Sequence, residues 1–408
     1  MKFVKIFIVF LVYLYGCSSG YRYTSFKYPE PVNTVSKKIE YQPKKLFSLD
    51  GIFFDNRFDG ARVNMAKKLN DSVIEIIIKP ENTPVNNSPW YAFKIWSKSS
   101  KKQYVRLVYK NGFHRYRPKI SKEGRNWVGL DSSAFSVSND KKSILMKLTL
   151  DSLPLWIAAQ PLINTRDVAQ WIDSLQKSNN YCSGYESAGK SVLQRDIPFF
   201  KIGTNAGSGK KVILLFSRQH PPETTGFLAL KFFIDALTRE DQLSEKFFEQ
   251  YEFWVFPLIN PDGVDLGHWR HNANGVDLNR DWAYFRQPET RSIRDFILNK
   301  ANSQRQKIVL GIDFHSTFKD IYYVNEATDY DFLKDFPRYW TNSIDRLVNS
   351  LSTYYDPTPI KKPVSKAWFY YQFGAVGITY EIGDDTPLQT IKQKSEAAAV
   401  SLMDLLIR

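Results

Sequence analysis

The sequence contains only five histidines, and two of them stand at the ends of apolar runs of the kind that form buried strands. His220 follows the run 211–217, with Glu223 three residues later, and His315 follows the run 307–314. In open α/β sheets, sites form in the crevice beyond the carboxyl ends of the strands, so these side chains can meet there. Two imidazoles and one carboxylate form a three-ligand set for Zn²⁺ that leaves a fourth position open for water.

Further residues can take part in chemistry with these three candidates. Glu381 stands at the end of another apolar run, where a carboxylate is costly unless it is paired or used. The loop segment 260–282 is rich in side chains that recognise carboxylates and oxyanions, namely Arg270, Asn279 and Arg280, and it also holds Asp277. A His-x-x-Glu pair alone is commonly a surface pair, so the metal-site hypothesis depends on these residues meeting.

The elements that must position these residues divide the chain into two parts. Residues 46–155 contain short β-type runs between clusters of Asn, Ser, Gly, Pro and Lys, which predicts an all-β module of sandwich type. Residues 161–408 alternate helical spacing with apolar runs, which predicts an α/β domain whose mostly parallel or mixed sheet is flanked by helices. The predicted strands cover 72–78, 91–96, 104–109, 143–148, 211–217, 252–258, 307–314 and 375–382, and the predicted helices cover 165–176 and 224–237.

The motifs of the second part occur together in a known family. In chain order they are His220-Pro221-Pro222-Glu223, Asn260-Pro261-Asp262-Gly263, Trp269-Arg270, Asp277-Leu278-Asn279-Arg280, His315-Ser316 and the strand-borne Glu381. All six, in this order, resemble the catalytic domain of the zinc metallocarboxypeptidases of the carboxypeptidase A type. The resemblance covers residues 161–408 and implies one Zn²⁺ ion held by His220, Glu223 and His315.

The same resemblance implies a role for each remaining candidate. Glu381 would be the general base and acid that activates zinc-bound water, and Arg270 would steady the oxyanion of the tetrahedral intermediate. Asn279 and Arg280 would hold the terminal carboxylate of the substrate, for which a planar guanidinium is suited. Asp277 is expected to accept the second N–H of a ligand histidine and orient its ring, with a loop or helix-cap carboxylate as the alternative.

Residues 46–155 narrow the resemblance to one branch of the family. The segment 53–61 and the β-type runs after it are similar to the β-sandwich that precedes the catalytic domain in the cytosolic carboxypeptidases. That branch includes enzymes acting on glutamate-rich tails. Pro222 departs from the glycine that the branch commonly has, which stiffens the loop. The family's substrate-capping tyrosine has several candidates in this chain, which are Tyr354, Tyr355, Tyr370 and Tyr371.

One lysine bears on the choice of substrate. If Trp368 matches the tryptophan that many relatives carry before the general base, the residue that selects the C-terminal side chain falls at about Lys366. A lysine there would favour an acidic terminal residue by charge pairing. A solvated loop lysine is the alternative.

The N-terminus has the pattern of an export signal. A short basic start, an apolar run over 6–14 that is too short to span a bilayer, and then Cys17 after a glycine resemble a bacterial lipoprotein signal. This pattern predicts a signal peptide over 1–16, a lipid on Cys17, a tether over 17–45 and a membrane anchor in the bacterial cell envelope. An ordinary secretory signal or an uncleaved anchor is the alternative.

The family resemblance implies a zinc metallocarboxypeptidase that removes C-terminal residues from peptides. A carboxypeptidase for the stem peptides of peptidoglycan is the nearest alternative, which the predicted envelope location suggests. A deacylase of the related desuccinylase type fits less well, since the motif at 260–263 and the pair Asn279-Arg280 belong to the peptidase pattern. A catalytically inactive binding module is another alternative, but a decayed site usually loses a ligand or the base first, and none is missing.

Charge and composition add one expectation about partners. The 408 residues are 43% hydrophobic, with 56 Lys and Arg against 42 Asp and Glu and no low-complexity tract, which excludes fibrous and disordered classes. Residues 161–408 hold 29 basic and 30 acidic residues, whereas 94–147 alone holds 14 basic and 3 acidic ones. We expect this basic β-module to face an anionic envelope surface. The chain has no recognised nucleic-acid-binding motif, so no nucleic-acid partner is expected.

Overall fold

The structure is a computed structural model that describes residues 20–204, 209–326, 333–348 and 354–408. The predicted signal peptide over 1–16 and the predicted lipid on Cys17 lie outside these residues, so the envelope location also stays a prediction. Within the described ranges, no helix is both long enough and apolar enough to cross a membrane.

The first part of the chain, the β-module, folds into two sheets. Its strands are β1 (Leu46–Leu49), β2 (Ile52–Asp55), β3 (Met65–Lys68), β4 (Val73–Ile78), β5 (Ala92–Ser97), β6 (Lys101–Tyr109), β7 (Lys119–Ser121), β8 (Val128–Gly129), β9 (Phe135–Val137), β10 (Ser143–Leu150) and β11 (Leu155–Ala158), with a short 3₁₀ turn at Ser132–Ala134. The sheet orders are β1-β2-β5-β11-β7-β8 and β3-β4-β6-β10-β9. Neighbouring strands are antiparallel except β4 and β6, which are parallel.

A single apolar core lies between these two sheets. Strand β4 buries every second residue, Ile74, Ile76 and Ile78, as expected for a strand with one face against a core. The opposite sheet contributes Phe54 and Ile95, among others, to the same core. The sheets therefore pack face to face as a sandwich. This arrangement confirms the predicted all-β module.

The second part forms an α/β domain around one mixed sheet. Its helices are α1 (Thr165–Ser178), α2 (Thr224–Leu237), α3 (Gln242–Gln250), α4 (Pro261–Leu266), α5 (Pro288–Gln304), α6 (Phe336–Val348), α7 (Ser365–Phe373) and α8 (Leu388–Ile407), with a 3₁₀ turn at Leu278–Arg280. Its strands are β12 (Glu186–Lys190), β13 (Asp196–Ile202), β14 (Lys211–Ser217), β15 (Tyr251–Phe256), β16 (Lys307–Thr317), β17 (Ile321–Asn325), β18 (Tyr354–Thr358) and β19 (Val376–Gly383). The strand order is β12-β13-β15-β14-β16-β19-β17-β18, and the central strands β15, β14, β16 and β19 are mutually parallel.

Helices cover both faces of this sheet. Ile213 and Leu215 of β14 belong to the core cluster shared with α2 and α8 on one face. Val212, Leu214 and Phe216 belong to the cluster shared with α5 and α7 on the other. Because alternate residues of β14 face opposite helix layers, residues 212–217 are all buried, and 212–216 form a continuous apolar run. The predicted α/β fold with a flanked mixed sheet is confirmed.

Residues 20–45 have no helix or strand and lie along the surface of the folded domains. The Asn302 side chain donates to the carbonyl of Tyr21 at 2.8 Å. The Phe26 ring stacks on Tyr371 with ring centroids 3.8 Å apart. Aromatic packing and hydrogen bonds therefore fasten the described part of the predicted tether to the α/β domain.

Candidate metal centre and active site

Neighbouring strands bring the candidate residues to one edge of the α/β sheet. Strands β14, β16 and β19 are parallel, and His315 on β16 is in register with Glu381 on β19. His220 follows β14, and Glu223 is the residue directly before α2. The carboxyl ends of these strands meet at one crevice, which is where the sequence argument expects a site.

His220, Glu223 and His315 form a compact group of metal-ligand type. The Glu223 carboxylate lies between the two rings, with Oε1 2.8 Å from His220 Nδ1 and Oε2 2.6 Å from His315 Nδ1. One ligand atom from each residue lies within 4.8 Å of the others, and all three residues are buried. Two imidazole nitrogens and a carboxylate oxygen at this spacing are a donor set that fits Zn²⁺.

The second nitrogen of each histidine ring is held by a carboxylate. His220 Nε2 lies 2.9 Å from Asp277 Oδ1, and His315 Nε2 lies 2.8 Å from Asp313 Oδ2. With the outward nitrogen donating its N–H, a metal would find the Nδ1 lone pair of each ring free, which is the tautomer that a metal ligand needs. Sequence reasoning missed Asp313, although its position two residues before His315 on a strand places both side chains on one face.

The charge state of these carboxylates suits a metal site. Burial raises the pKa of Glu223, but His220 and His315 outweigh it and hold that pKa well below its usual range. Burial also raises the pKa of Asp277, and Arg270 and His220 likewise hold it well below its usual range. Both groups are therefore ionised near neutral pH, as a ligand and its supporting carboxylate must be.

Glu381 lines the same cavity as the three ligands, at the end of β19. Its Oε2 atom is buried and has no hydrogen-bond partner among the described residues. Burial raises the pKa of Glu381 to about 8, against the lowering effect of His315. A carboxylate with an unpaired oxygen and a raised pKa can accept a proton near neutral pH.

Arg270 faces the ligand group from a loop of the α/β domain. Its Nε donates to Asp277 Oδ2 at 2.7 Å, and its Nη1 lies 4.0 Å from Glu223 Oε1. Asp277 thus contacts a ligand histidine with one oxygen and this arginine with the other. The guanidinium is a fixed positive charge at the edge of the metal group, where it can oppose negative charge on a reacting carbonyl oxygen.

Asn279 and Arg280 lie in the cavity wall on the 3₁₀ turn Leu278–Arg280. Asn279 Nδ2 is 3.3 Å from His315 Nε2, and its Oδ1 accepts the N–H of Ser365 at 3.0 Å. Arg280 Nη1 donates to the carbonyl of Asn279 at 2.7 Å. Among the described residues, the guanidinium of Arg280 donates one hydrogen bond, to its own turn, and has other N–H groups for a ligand.

Lys366 is buried in the same cavity wall, on α7. Its Nζ donates to the carbonyl of Val324 at 3.0 Å and to the hydroxyl of Thr358. Burial lowers the pKa of Lys366 to about 8. Its burial on a helix excludes the alternative of a solvated loop lysine.

The tyrosine that lines the cavity was not a sequence candidate. Tyr323 on β17 contributes to the wall, and its pKa is raised by burial and by Glu381. Tyr354 and Tyr371, by contrast, pack elsewhere, the latter against Phe26. Among the described residues that line the cavity, none of the four predicted tyrosines occurs.

The cavity, of about 810 Å³, lies between the two parts of the chain. The β-module contributes Asn86, Asn87, Phe113 and Arg115 to its wall. Arg115 Nε donates to Asp384 Oδ2 of the α/β domain at 2.8 Å, and both side chains are buried. The β-module is therefore part of the cavity wall, a role that its sequence pattern does not predict.

Comparison with known proteins gives the class of this site. Residues 168–399 match the family model Peptidase_M14, described as zinc carboxypeptidase, and the chain belongs to this family. It is 25% identical over 300 residues to cytosolic carboxypeptidase 6 of Mus musculus, a match that covers 67% of this chain and 54% of that protein. The chain thus matches little more than half the length of this curated relative.

Solved structures share the fold over most of the chain. A metallo-carboxypeptidase from Burkholderia cenocepacia has a TM-score of 0.72 at 16% sequence identity, covering 87% of this chain and 99% of that one. A metallo-carboxypeptidase from Pseudomonas aeruginosa has a TM-score of 0.70 at 18% identity, covering 87% and 100%. The coverage includes the β-module as well as the α/β domain, so both parts belong to the shared fold.

Proposed function

We propose that this protein is a zinc-dependent carboxypeptidase that hydrolyses the last peptide bond of peptide substrates. The observation that carries the proposal is the meeting of the His220, Glu223 and His315 group with Glu381 and Arg270 at one cavity. The family supports peptidase activity, and the donor set supports the metal. A catalytically inactive binding module would not need a buried base beside an intact set of candidate ligands.

The residues that would hold zinc are His220, Glu223 and His315. Zinc bound there supplies Lewis-acid chemistry, polarising a carbonyl group and making water more acidic. Asp277 and Asp313 keep the two rings oriented with Nδ1 inward. The protein therefore prepares the donor atoms before the metal arrives, which favours tight binding.

Glu381 moves the proton in this proposal. Its unpaired Oε2 takes a proton from the attacking water, and the same carboxyl then delivers that proton to the nitrogen of the leaving amine. Burial raises the pKa of Glu381, so its carboxyl holds the transferred proton more readily than an exposed carboxylate would. The two steps balance, because the proton removed from water is the one given to the amine.

Arg270 and the turn at 278–280 orient the substrate around this proton transfer. Arg270 opposes the negative charge that develops on the carbonyl oxygen, which is typically a large contribution in acyl transfer. Arg280, with Asn279 beside it, would hold the free carboxylate of the terminal residue. That contact explains cleavage at the last bond, because only a chain end presents a carboxylate there.

Metal dependence tests the proposal directly. Dialysis against a chelator should abolish release of terminal amino acids from a peptide library varied at its last two positions, and added Zn²⁺ should restore it. Dialysis against buffer alone is the control. Release that is indifferent to metal removal, with metal content measured in the same samples, would contradict the proposal.

Lys366 supports a preference for acidic terminal residues within the same proposal. Its buried ammonium has two fixed acceptors and a third N–H, at the wall where a terminal side chain would lie. Terminal Glu is expected to leave at least ten times faster than terminal Leu or Lys. In Lys366→Met, which keeps the length of the side chain without its charge, that preference should disappear. Equal release of Glu and Leu by the unmodified protein would contradict the preference.

A further inference from the structure

The loop that carries Arg270 is bonded to the β-module at both ends. Arg62 of the β-module donates to the carbonyl of Gly267 at 2.9 Å. The side-chain amide of Asn82 donates to the carbonyl of Gly275 at 3.0 Å. These contacts cross from the β-module to residues 267–275, which we call the arginine loop.

A single carboxylate of the β-module lies at the centre of the arginine loop. Glu81 accepts three consecutive backbone N–H groups, from Trp269 at 2.7 Å, Arg270 at 3.0 Å and His271 at 2.7 Å. Its side chain is fully buried. Three donors that converge on one buried acceptor need a charged carboxylate, because an amide would place its own N–H groups against one or more of them.

The side chain next to Arg270 anchors the loop in a second way. Trp269 is fully buried and belongs to the apolar core of the β-module, although it is a residue of the α/β domain. The fit is close, since a Cβ on Gly112 would lie 2.6 Å from the Trp269 ring. The backbone at Arg270 is thus fixed by a buried ring on one side and by Glu81 beneath it.

We propose that Glu81 is a positioning residue for Arg270, so that the β-module completes the catalytic apparatus. The inference rests on the role of Arg270 in the proposed function. Glu81 is not among the described residues that line the cavity, and its described side-chain hydrogen bonds go to the arginine loop rather than to His220, Glu223 or His315; its effect would pass through the backbone of Arg270. The held backbone, together with the bond from Arg270 Nε to Asp277, keeps the arginine directed at Glu223.

A double-mutant cycle separates this role from a merely structural one. Four full-length proteins are compared: the unmodified chain, Glu81→Gln, Arg270→Ala and the double variant. Zinc content and thermal unfolding are measured for each. Glu81→Gln should lower kcat about 10- to 100-fold while KM changes less than about threefold, because ground-state binding uses other residues. In the Arg270→Ala background, the same change should lower kcat less than about twofold.

Met146→Ala is the matched control. Met146 is fully buried in the β-module core on β10, where it is paired with β6 and β9. This variant should lose thermal stability yet keep kcat in the folded protein. If Glu81→Gln does not fold, Asn82→Ala replaces it in the same cycle, with an expected fall in kcat of about threefold that vanishes without Arg270.

The outcomes distinguish the inference from the proposed function. If Arg270→Ala leaves kcat unchanged, the role of Arg270 fails and the inference fails with it. If Arg270→Ala lowers kcat but the second change lowers it by an equal factor in both backgrounds, only the inference is overturned. An unchanged kcat in a folded Glu81→Gln protein, or a loss of kcat in Met146→Ala as large as that in Glu81→Gln, also overturns it.

Discussion

His220 and His315 meet Arg270 at one cavity, but different parts of the molecule hold them there. His220 and His315 stand at the ends of parallel strands and are oriented by carboxylates of the same domain. Arg270 lies on a loop whose backbone is bonded to Glu81 of the β-module. The candidate metal group, which is His220, Glu223 and His315, is therefore built within the α/β domain. The position of Arg270, by contrast, depends on both parts of the chain.

Asp277 connects two sets of contacts, those that orient the histidines and those that hold Arg270. Asp277 accepts from His220 Nε2 with one oxygen and from Arg270 Nε with the other. A change at Asp277 therefore acts on both the candidate metal group and the arginine. Asp313 also accepts from Gln219 and from the Ser365 hydroxyl, and its described hydrogen bonds do not include Arg270. The following variants test this difference.

Glu381→Gln is expected to have the largest effect, because it removes the proton acceptor and leaves both sets of contacts intact. The amide has nearly the same shape but cannot take up a proton. We expect kcat to fall about 10³-fold while zinc content stays at one ion per chain. Steady-state kinetics and metal analysis on the same sample measure both. A fall of less than tenfold would remove Glu381 from the proposed proton transfer.

Asp313→Asn and Asp277→Asn are compared to test whether the histidines and Arg270 are held by different contacts. Each variant should weaken zinc affinity about 10- to 100-fold, because each removes the negative charge that orients one candidate ligand histidine. With zinc at saturation, Asp313→Asn should regain most of its kcat. Asp277→Asn should remain impaired, because its amide offers one oxygen to two donors, His220 and Arg270. Competition with a chelator gives the affinities, and equal kcat values in the two zinc-saturated variants would contradict this difference.

The arginine loop should respond to acid through Glu81. Burial raises the pKa of Glu81, but His268, His271 and Arg62 outweigh it and lower that pKa to about 2 from its usual 4.5. A carboxyl whose folded pKa is depressed contributes stability above pH 4.5, and this contribution is lost as the pH falls toward 2. The contribution amounts to up to about 3 kcal/mol.

Unfolding by urea at several pH values measures this contribution. The difference in unfolding free energy between the unmodified protein and Glu81→Gln should be greatest above pH 4.5 and should shrink toward pH 2. The comparison of the two proteins cancels the effect of other carboxyl groups. A difference that stays constant over this range would contradict the view that an ionised Glu81 carboxylate holds the arginine loop.

The smallest effect is expected at an exposed contact between the same two parts. Lys119 of the β-module pairs with Asp385 of the α/β domain at 2.9 Å, and the aspartate side chain is 57% exposed. Asp385→Ala should change the unfolding free energy by less than about 1 kcal/mol, because water screens such a pair. It should leave kcat unchanged. A loss of kcat comparable to that of Glu81→Gln would mean that any contact between the two parts controls the site.

The meeting of His220, Glu223 and His315 at one crevice could be predicted, because local patterns place these residues. The apolar run 211–217 coincides with β14, and the run 307–314 lies within β16, so both histidines fall at strand ends. Strand topology then brings the ends together without further information. Asp313 was within reach of the same reasoning, since strand alternation places it on the face of His315.

The contact between Glu81 and the arginine loop cannot be predicted from local patterns. Glu81 lies 189 residues before Arg270, and its surroundings read only as a loop after a strand. Its importance comes from long-range packing that places a carboxylate under three N–H groups, and no local period records that contact. The described part of the predicted tether is a similar case, because its contacts with Asn302 and Tyr371 depend on where distant helices end.

The most direct test of the central claim compares one peptide in two forms, with a free C-terminal carboxylate and with a C-terminal amide. The zinc-loaded protein is incubated with each, and mass spectrometry identifies the products. A carboxypeptidase that holds the terminal carboxylate should remove the last residue of the free peptide and leave the amide intact. Internal cleavage, equal cleavage of both forms, or no cleavage of any free peptide in the library would contradict the account.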